Sequence, residues 1–371
     1  MAASSRAAPV LACVAAAAVA ACTRGGPPAE GSAAAADDGR PPPAMSTERA
    51  VTVAERWLSP LDSTWEVDSP ALWVRDGRGR VVVTGRASSD LELFDAATGA
   101  WVGAFGGEGA APGRFAHPNG VAVVGDLALV VDRDNRRVQV LHLPGGEPAG
   151  AFGQDVLERP YGIAVVGALP ELTVWISDDY LFKGDGSNDL DRRLHRFRLR
   201  VAPDGTPTVT AHHAFGDPEG FPGALWVVES VAVDPAHDRV LAVEDRRRRV
   251  LVYDTAGAYA GVRVGEGVLA GDPEGIARVP CAGAPGYWIV ADVGEGPTVF
   301  RLFRLDDLGY VGAFRGRATR STDGVVFAPA PVPGFDGAAF FATHADGGVS
   351  AFAWEDVVEA LELDPRCAGP P

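Results

Sequence analysis

Short apolar stretches alternate with turn residues along nearly the whole chain from about Val51 onward. The first group reads ALWV, RVVVTG, LELFD and AWVGAF, and Gly, Asp, Asn or Pro separate such stretches. Runs of this length that are rich in β-branched and aromatic residues are typical of β-strands. The one helical pattern runs from Trp354 to Leu363 and predicts a short terminal cap. The sequence therefore predicts an all-β fold.

The strand pattern repeats six times. The spacings are 49, 44, 68, 45 and 49 residues between repeats that begin at Asp68, His117, Tyr161, Glu229, Glu274 and Asp323. The single long spacing contains the insertion KGDGSNDLDRR. A period of this length with four strands per repeat is the signature of a β-propeller. We therefore predict a six-bladed β-propeller with four-stranded antiparallel blades over residues 51–371.

Acidic and polar residues stand at the starts of the repeats. The first strand of a propeller blade is innermost, so the residues just before it surround the central channel. Several carboxylates on one face repel one another unless a cation neutralises them, and oxygen ligands select a hard cation, calcium first. Acidic residues at blade starts also serve turns and hydrogen bonds without any metal. Both interpretations follow from the pattern.

The N-terminus predicts export. Residues 1–21 carry Arg6 and an alanine-rich apolar segment that is too short to span a membrane and is typical of a signal peptide. The segment ends Val-Ala-Ala-Cys22, which resembles the bacterial lipobox with its lipidated cysteine; ordinary cleavage beside an incidental Cys22 is the alternative. Residues 22–50 predict a flexible tether. We expect a lipid anchor in the cell membrane or outer membrane, or else a periplasmic or secreted protein.

Charge and cysteine content narrow the environment. The chain has 33 basic and 49 acidic residues and a net charge of -16, which argues against nucleic-acid binding and suits cation binding or simple solubility. Cys281 and Cys367 are the two cysteines of the globular part. In an oxidising compartment they either form a disulfide that fastens the chain end or remain two free thiols.

Six motifs, in order, resemble those of the β-propeller phytases, a family of six-bladed calcium-dependent phosphatases that act on phytate. DSPALWV is similar to the family's DDPAIWV, and TGRASSDLELF is similar to its T-x-K-x-x-G-L-x-V-Y. The later matches are VESVAVDPAHDRVLAVED, GDPEGIA with GYWIVAD, STDGVVF and VSAFAWEDVVEAL. The resemblance covers roughly residues 59–363.

The resemblance implies calcium as cofactor and hydrolysis of a phosphorylated small molecule, with one calcium ion holding the phosphate and another activating the attacking water. It implies metal ligands at Asp68, Glu229, Glu244, Asp272, Glu274 and Asp323. It implies catalytic roles for Glu229, Glu244 and Tyr161, and phosphate contacts from Arg86, Arg133 and Lys183. Several positions depart from the family pattern, among them Ser69 in place of an Asp and Ala87 in place of a basic residue. We expect a monomer that touches the membrane only through its lipid anchor.

A second resemblance covers only one repeat. Residues around 106–141 are similar to an NHL repeat, a propeller blade that is used for binding. Two alternative functions are therefore a non-catalytic propeller that binds a protein or sugar at the cell surface, and another metal-dependent propeller hydrolase or lactonase. The hydrolase hypotheses predict that calcium raises the melting temperature, because a ligand that binds only the folded state stabilises it.

Overall fold

The computed structural model describes residues 50–183, 186–329 and 331–367, and it confirms the six-bladed β-propeller. The predicted signal peptide, Cys22 and the tether up to residue 49 lie outside the described residues. Neighbouring inner strands contact one another in chain order, and the last contacts the first, which closes the ring. Among the described residues no helix is long and apolar enough to cross a membrane.

Two short strands, β1 (Val51–Thr52) and β2 (Trp57–Leu58), precede the blades. Blade 1 contains β3 (Val67–Arg75), β4 (Arg78–Gly85), β5 (Asp90–Asp95) and β6 (Trp101–Gly106). Blade 2 contains β7 (Pro118–Val124), β8 (Leu127–Asp132), β9 (Arg137–His142) and β10 (Glu147–Phe152). Blade 3 contains β11 (Pro160–Ala168), β12 (Glu171–Asp178), β13 (Leu194–Val201) and β14 (Pro207–Phe215).

Blade 4 contains β15 (Val228–Asp234), β16 (Arg239–Glu244), β17 (Arg249–Tyr253) and β18 (Tyr259–Val264). Blade 5 contains β19 (Asp272–Val279), β20 (Tyr287–Val293), β21 (Val299–Arg304) and β22 (Tyr310–Arg315). Blade 6 contains β23 (Val325–Ala328), β24 (Ala339–His344) and β25 (Gly348–Ala353). The helix α1 spans Trp354–Ala360, and short 3-10 helices span Leu190–Arg192, Pro235–His237 and Pro365–Cys367.

The N-terminal strands complete the ring. The sixth repeat supplies only three strands, and β2 becomes the outer strand of that blade by pairing antiparallel with β25. The Ser59 hydroxyl accepts a hydrogen bond of 2.8 Å from the Val349 amide just beyond this pair. Strand β1 adds a fifth, parallel strand to blade 5 through β22. Because β2 precedes blade 1 and β25 belongs to blade 6, their pairing closes the ring of blades.

The core consists of six hydrophobic clusters within the described chain, one at each interface between neighbouring blades. A blade in the ring is covered on both faces, so its central strands are apolar without strict alternation. In β4, Val81, Val82 and Val83 are all fully buried for this reason. The uninterrupted apolar runs of the sequence are therefore strands that pack between two neighbours.

The C-terminal segment packs on blades 5 and 6. Helix α1 begins at the predicted Trp354, which is fully buried, and it ends at Ala360, three residues before the predicted end. Cys281 and Cys367 form a disulfide with a Cα–Cα distance of 4.5 Å. This confirms the disulfide alternative over two free thiols. The bond ties the chain end to the blade 5 loop that carries Cys281.

Reduction of this disulfide should lower the melting temperature by about 5–10 °C. The bond closes a loop across 86 residues of sequence, and such a cross-link contributes about 2–4 kcal/mol, mainly by restricting the unfolded chain. Calorimetry with and without reductant measures the change. The Cys281→Ser/Cys367→Ser double variant serves as the control, because it should match the reduced protein and show no further response to reductant. An unchanged melting temperature would contradict a stabilising role.

Candidate active site at the end of the channel

Each blade places one polar residue at the start of its inner strand. The six residues are Asp68, Asn119, Tyr161, Glu229, Glu274 and Asp323, and each is followed by Gly or Ser. A Cβ atom on Gly120 would lie 2.6 Å from the Tyr161 carbonyl oxygen, and one on Gly162 would lie 2.8 Å from the Glu229 carbonyl oxygen. Only small residues fit here, because neighbouring inner strands approach closely. That close approach brings the six polar side chains together.

Four of the six polar residues line a cavity of about 460 Å³ at this end of the channel, whereas Asp68 and Asn119 do not line it. Tyr161, Glu229, Glu274 and Asp323 line it together with Arg86. Loop residues that include Glu66 and Asp346 complete the wall. Five carboxylates and a single arginine thus face one cavity, so its electrostatic potential is strongly negative and attracts cations.

Asp68 is the centre of a hydrogen-bond network in the wall. Its side chain is 2% exposed, and Oδ2 accepts hydrogen bonds from Arg86 at 3.3 Å, from the Tyr161 hydroxyl at 3.0 Å and from Asn119 Nδ2 at 3.2 Å. Arg86 Nη2 also lies 3.0 Å from Asp323. Burial opposes the charge on Arg86, yet Asp68 raises the pKa of the guanidinium overall. Arg86 therefore acts as a fixed cation between two carboxylates.

Glu229 and Glu274 have no such partner within the described chain. Neither carboxylate takes part in a hydrogen bond or an ion pair there. Burial raises the pKa of both groups well above the usual value, and nearby carboxylates add to the effect, first Asp179 for Glu229 and first Glu229 for Glu274. Burial and Asp68 likewise raise the pKa of Asp323 to about 7, although Arg86 opposes them. The carboxylates of the cluster thus outnumber its one positive charge, Arg86.

The acidic cluster extends outward beyond Glu229 to Asp179 and Asp245. Burial and the proximity of Asp179 raise the pKa of Asp245 to about 7. Asp245 Oδ1 is buried and accepts no hydrogen bond from the described residues. Asp179 is 8% exposed, and burial also raises its pKa. Neither residue is among those predicted from the sequence.

Glu244, a predicted metal ligand and catalytic residue, lies outside the cavity. It is fully buried at the end of β16, where it pairs with Arg249 and accepts a hydrogen bond of 2.9 Å from the Trp226 amide. The second strands of three other blades carry an acid as their last or second-last residue, and it accepts backbone hydrogen bonds in the same way; these acids are Asp132, Asp178 and Asp292. Glu244 thus belongs to a repeated structural set that fixes the loop leading into each inner strand. Its neighbour Asp245 extends the cluster instead.

The remaining predicted residues also lie outside the cavity wall. Asp272 pairs with Arg248 at 2.8 Å, and its side chain is 49% exposed. Arg133 pairs with Asp134 at 2.8 Å. Lys183, in the blade 3 insertion, pairs with Asp189 at 2.5 Å and lies 3.6 Å from Glu158. Of the three predicted phosphate contacts, only Arg86 lines the cavity.

The donors at the cavity suit a hard cation in their chemistry. Carboxylate oxygens come from four blades. Next to them, the fully buried Asn119 donates to Asp68, and its Oδ1 has no hydrogen-bond partner among the described residues. Carboxylate and amide oxygens are the ligands that calcium prefers. Within residues 50–183, 186–329 and 331–367, however, no three His, Cys, Asp or Glu side chains already form a metal-binding arrangement. Binding would therefore require the unpaired carboxylates to move toward a common point.

No family model and no curated protein matches the chain. Solved structures do match it. It is similar to a calcium-binding protein, regucalcin, from Agrobacterium tumefaciens, with 13% identity, a TM-score of 0.51, and coverage of 82% of this chain and 95% of that one. It is also similar to a putative gluconolactonase, with 18% identity, a TM-score of 0.50, and coverage of 82% and 97%. At such low identities these similarities establish the propeller fold that the two proteins share with this chain.

Proposed function

We propose that the channel cavity is the active site of a divalent-cation-dependent hydrolase. One observation carries this proposal: Glu229 and Glu274 face the same cavity from adjacent blades with raised pKa values and without a positively charged partner. Buried carboxylates that repel one another destabilise the fold, so their presence at a cavity points to a functional site. A bound cation is the partner that would relieve their repulsion.

The side chains around Glu229 and Glu274 would have separate roles. Glu229, Glu274 and Asp323 would hold a divalent cation with Asn119 Oδ1, and such a cation polarises a substrate carbonyl or phosphoryl oxygen and favours ionisation of water. Asp245, whose pKa burial and Asp179 raise to about 7, adds negative charge beside Glu229 and would strengthen the attraction of a cation. Tyr161 remains a neutral hydroxyl, because burial raises its pKa well above the usual value. Its hydroxyl and Arg86 hold Asp68 in place.

An uncharged cyclic ester is the substrate class that the cavity fits best. The wall carries five carboxylates against one arginine, so a polyanion is repelled unless several cations are bound first. A lactone carries no charge and meets no such barrier. The names of the two similar structures, a calcium-binding regucalcin and a putative gluconolactonase, agree with this choice. We therefore place lactone hydrolysis first.

Phosphate monoester hydrolysis, with phytate as substrate, is the second candidate. The six motifs that resemble the β-propeller phytases favour it, since they occur in order over most of the chain. Two observations weigh against it. Arg86 is engaged between Asp68 and Asp323, and Lys183 is engaged by Asp189 and Glu158. The cavity would need bound cations to accept a phosphate group.

The purified full-length protein should open glucono-1,5-lactone at least ten times faster with calcium than with EGTA. Acid release, followed with a pH indicator and corrected for spontaneous hydrolysis, measures the rate. Phosphate release from phytate under the same conditions tests the second candidate in parallel. Restoration of the rate when calcium is added back after EGTA is the control. If neither substrate is cleaved in any condition, the hydrolase proposal fails for both classes.

A further inference from the structure

A second cleft, of about 390 Å³, opens on blade 4 outside the acidic cavity. Its walls come from the loop between β14 and β15, from the turn between β16 and β17, and from the outer strand β18. The residues that matter for its chemistry are Glu219, Phe221, Trp226, Arg247, Arg249 and Arg263. None of these was predicted to have a function.

The cleft is positively charged in a protein that is strongly acidic. Three arginines and one glutamate line it, whereas the whole chain has a net charge of -16. Arg249 is held by Glu244 and the Ala224 carbonyl and forms a fixed wall. The side chain of Arg263 is 40% exposed and forms an ion pair of 3.7 Å with the exposed Glu266. Because an ion pair between two exposed side chains is weak, a ligand anion can compete with Glu266 for the guanidinium.

Aromatic rings supply the second half of the recognition surface. Phe221 is 60% exposed, which is unusual for a large apolar side chain in a loop that folds back on its own blade. The Arg247 guanidinium lies 5.0 Å from the centre of the Trp226 ring, within the range of a cation–π contact. A planar guanidinium over an indole and a nearby exposed phenyl ring form a surface on which a flat apolar group stacks.

The cleft and the acidic cavity lie on two sides of one turn. Asp245 raises the pKa of Glu229 through its charge and so belongs to the cavity side. Arg247, two residues later, lies over Trp226 in the cleft. The Trp226 amide also hydrogen-bonds Glu244, next to Asp245, and the same loop continues into β15, which carries Glu229. Opposite charges are thus kept apart by a short stretch of backbone.

We infer that this cleft is a binding site for a small organic anion whose carboxylate or phosphate is attached to a planar, apolar body. The anionic group pairs with Arg263 and Arg247, and the apolar body stacks on Phe221 and Trp226. The inference does not depend on the proposed hydrolase. It needs no cation, since the arginines supply the positive charge.

Isothermal titration calorimetry in EGTA, with phenylphosphonate, benzoate and benzyl alcohol as probes, tests the site. The full-length protein should bind one or both anions with a dissociation constant in the millimolar range or below, and should bind benzyl alcohol at least ten times more weakly. Preference between the two anions identifies phosphate or carboxylate as the favoured group. Arg263→Gln and Phe221→Ala should each weaken binding of the anions at least fivefold.

Two controls keep the test specific. Arg200→Gln removes an arginine whose side chain is 70% exposed on blade 3 and should leave binding unchanged. Glu274→Gln alters the acidic cavity and should also leave binding unchanged. A single cooperative melting transition, at a temperature no more than about 2 °C below that of the parent, establishes that each variant is folded. No measurable heat with either anion, or binding that survives both cleft variants, would overturn the inference.

Discussion

Glu274→Gln should reduce the hydrolytic rate at least about 100-fold and yet raise the melting temperature of the calcium-free protein. Loss of one charged group that acts on the reacting atoms or on their cation costs about that factor. The same carboxylate has a pKa raised by burial and by Glu229, so its charged form opposes folding. Glutamine keeps the shape and removes the charge. At pH 8 we expect a rise of about 2–4 °C, equivalent to about 1–2 kcal/mol.

Activity and calorimetry, each with EGTA and with calcium, separate the two effects. Glu229→Gln should behave like Glu274→Gln, because burial and nearby carboxylates raise the pKa of Glu229 in the same way. Glu359→Gln, on the exposed side of helix α1, changes the net charge equally and should match the parent in both assays. Arg86→Gln is the opposite control, since it leaves Asp68 and Asp323 without their cation and should lower the melting temperature. Lower stability in Glu274→Gln would mean that the carboxylate is structural.

The blades could be predicted because each repeat has the same pattern of polar and apolar residues. Every inner strand has a polar residue followed by Gly or Ser in or just before its first three residues, and the central strands are apolar runs that pack between two neighbours. The outer strand of blade 6 was not predictable in this way. Strand β2 is only two residues long, Trp57–Leu58, and carries no alternation of its own. Its partner lies at the other end of the chain, so the pairing arises from ring closure and not from local sequence.

The site residues that occupy the same position in each repeat could be predicted from the sequence. Asp68, Tyr161, Glu229, Glu274 and Asp323 converge because blade geometry places all strand starts on one rim. The choice between adjacent acids was harder, because neighbouring side chains of a strand point to opposite faces.

A spacing shared by two repeats indicates the structural role of Glu244. Asp132 is followed five residues later by Arg137, and Glu244 is followed five residues later by Arg249; both arginines pair with the acid. That shared spacing marks Glu244 as a member of the structural set and leaves Asp245 for the cluster. Arg133 and Lys183 were proposed as phosphate contacts from the family resemblance, and their observed partners are nearby carboxylates.

Without calcium, the free energy of unfolding should fall between pH 5 and pH 8. In the folded protein burial raises the pKa of Asp245 and Asp323 to about 7, so the folded state keeps protons that the unfolded state has released, and stability falls with pH up to that value. The pKa values of Glu229 and Glu274 are raised well above the usual value, so the free energy of unfolding continues to fall above pH 7.

Three histidines oppose this trend at the acid end. Burial lowers the pKa of His117 and His212 to about 4 and also lowers the pKa of His344, so the unfolded state binds more protons there and stability rises with pH up to about 6.5. The fall should therefore be steepest just above pH 6.5. At about 1.4 kcal/mol per pKa unit, and with the solvent at the cavity mouth weakening the effect, we expect a loss on the order of 3 kcal/mol over the whole range.

Calcium should cancel this loss, because it binds the deprotonated carboxylates and competes with protons. Scanning calorimetry from pH 5 to pH 8 in EGTA and in millimolar calcium measures the difference in melting temperature. That difference should grow from near zero at pH 5 to about 5 °C or more at pH 8. Glu274→Gln should flatten the pH dependence, whereas Glu359→Gln should leave it intact. A calcium effect of the same size at every pH would place the cation away from these carboxylates, and no effect at any pH would remove the basis of the cation-dependent active site.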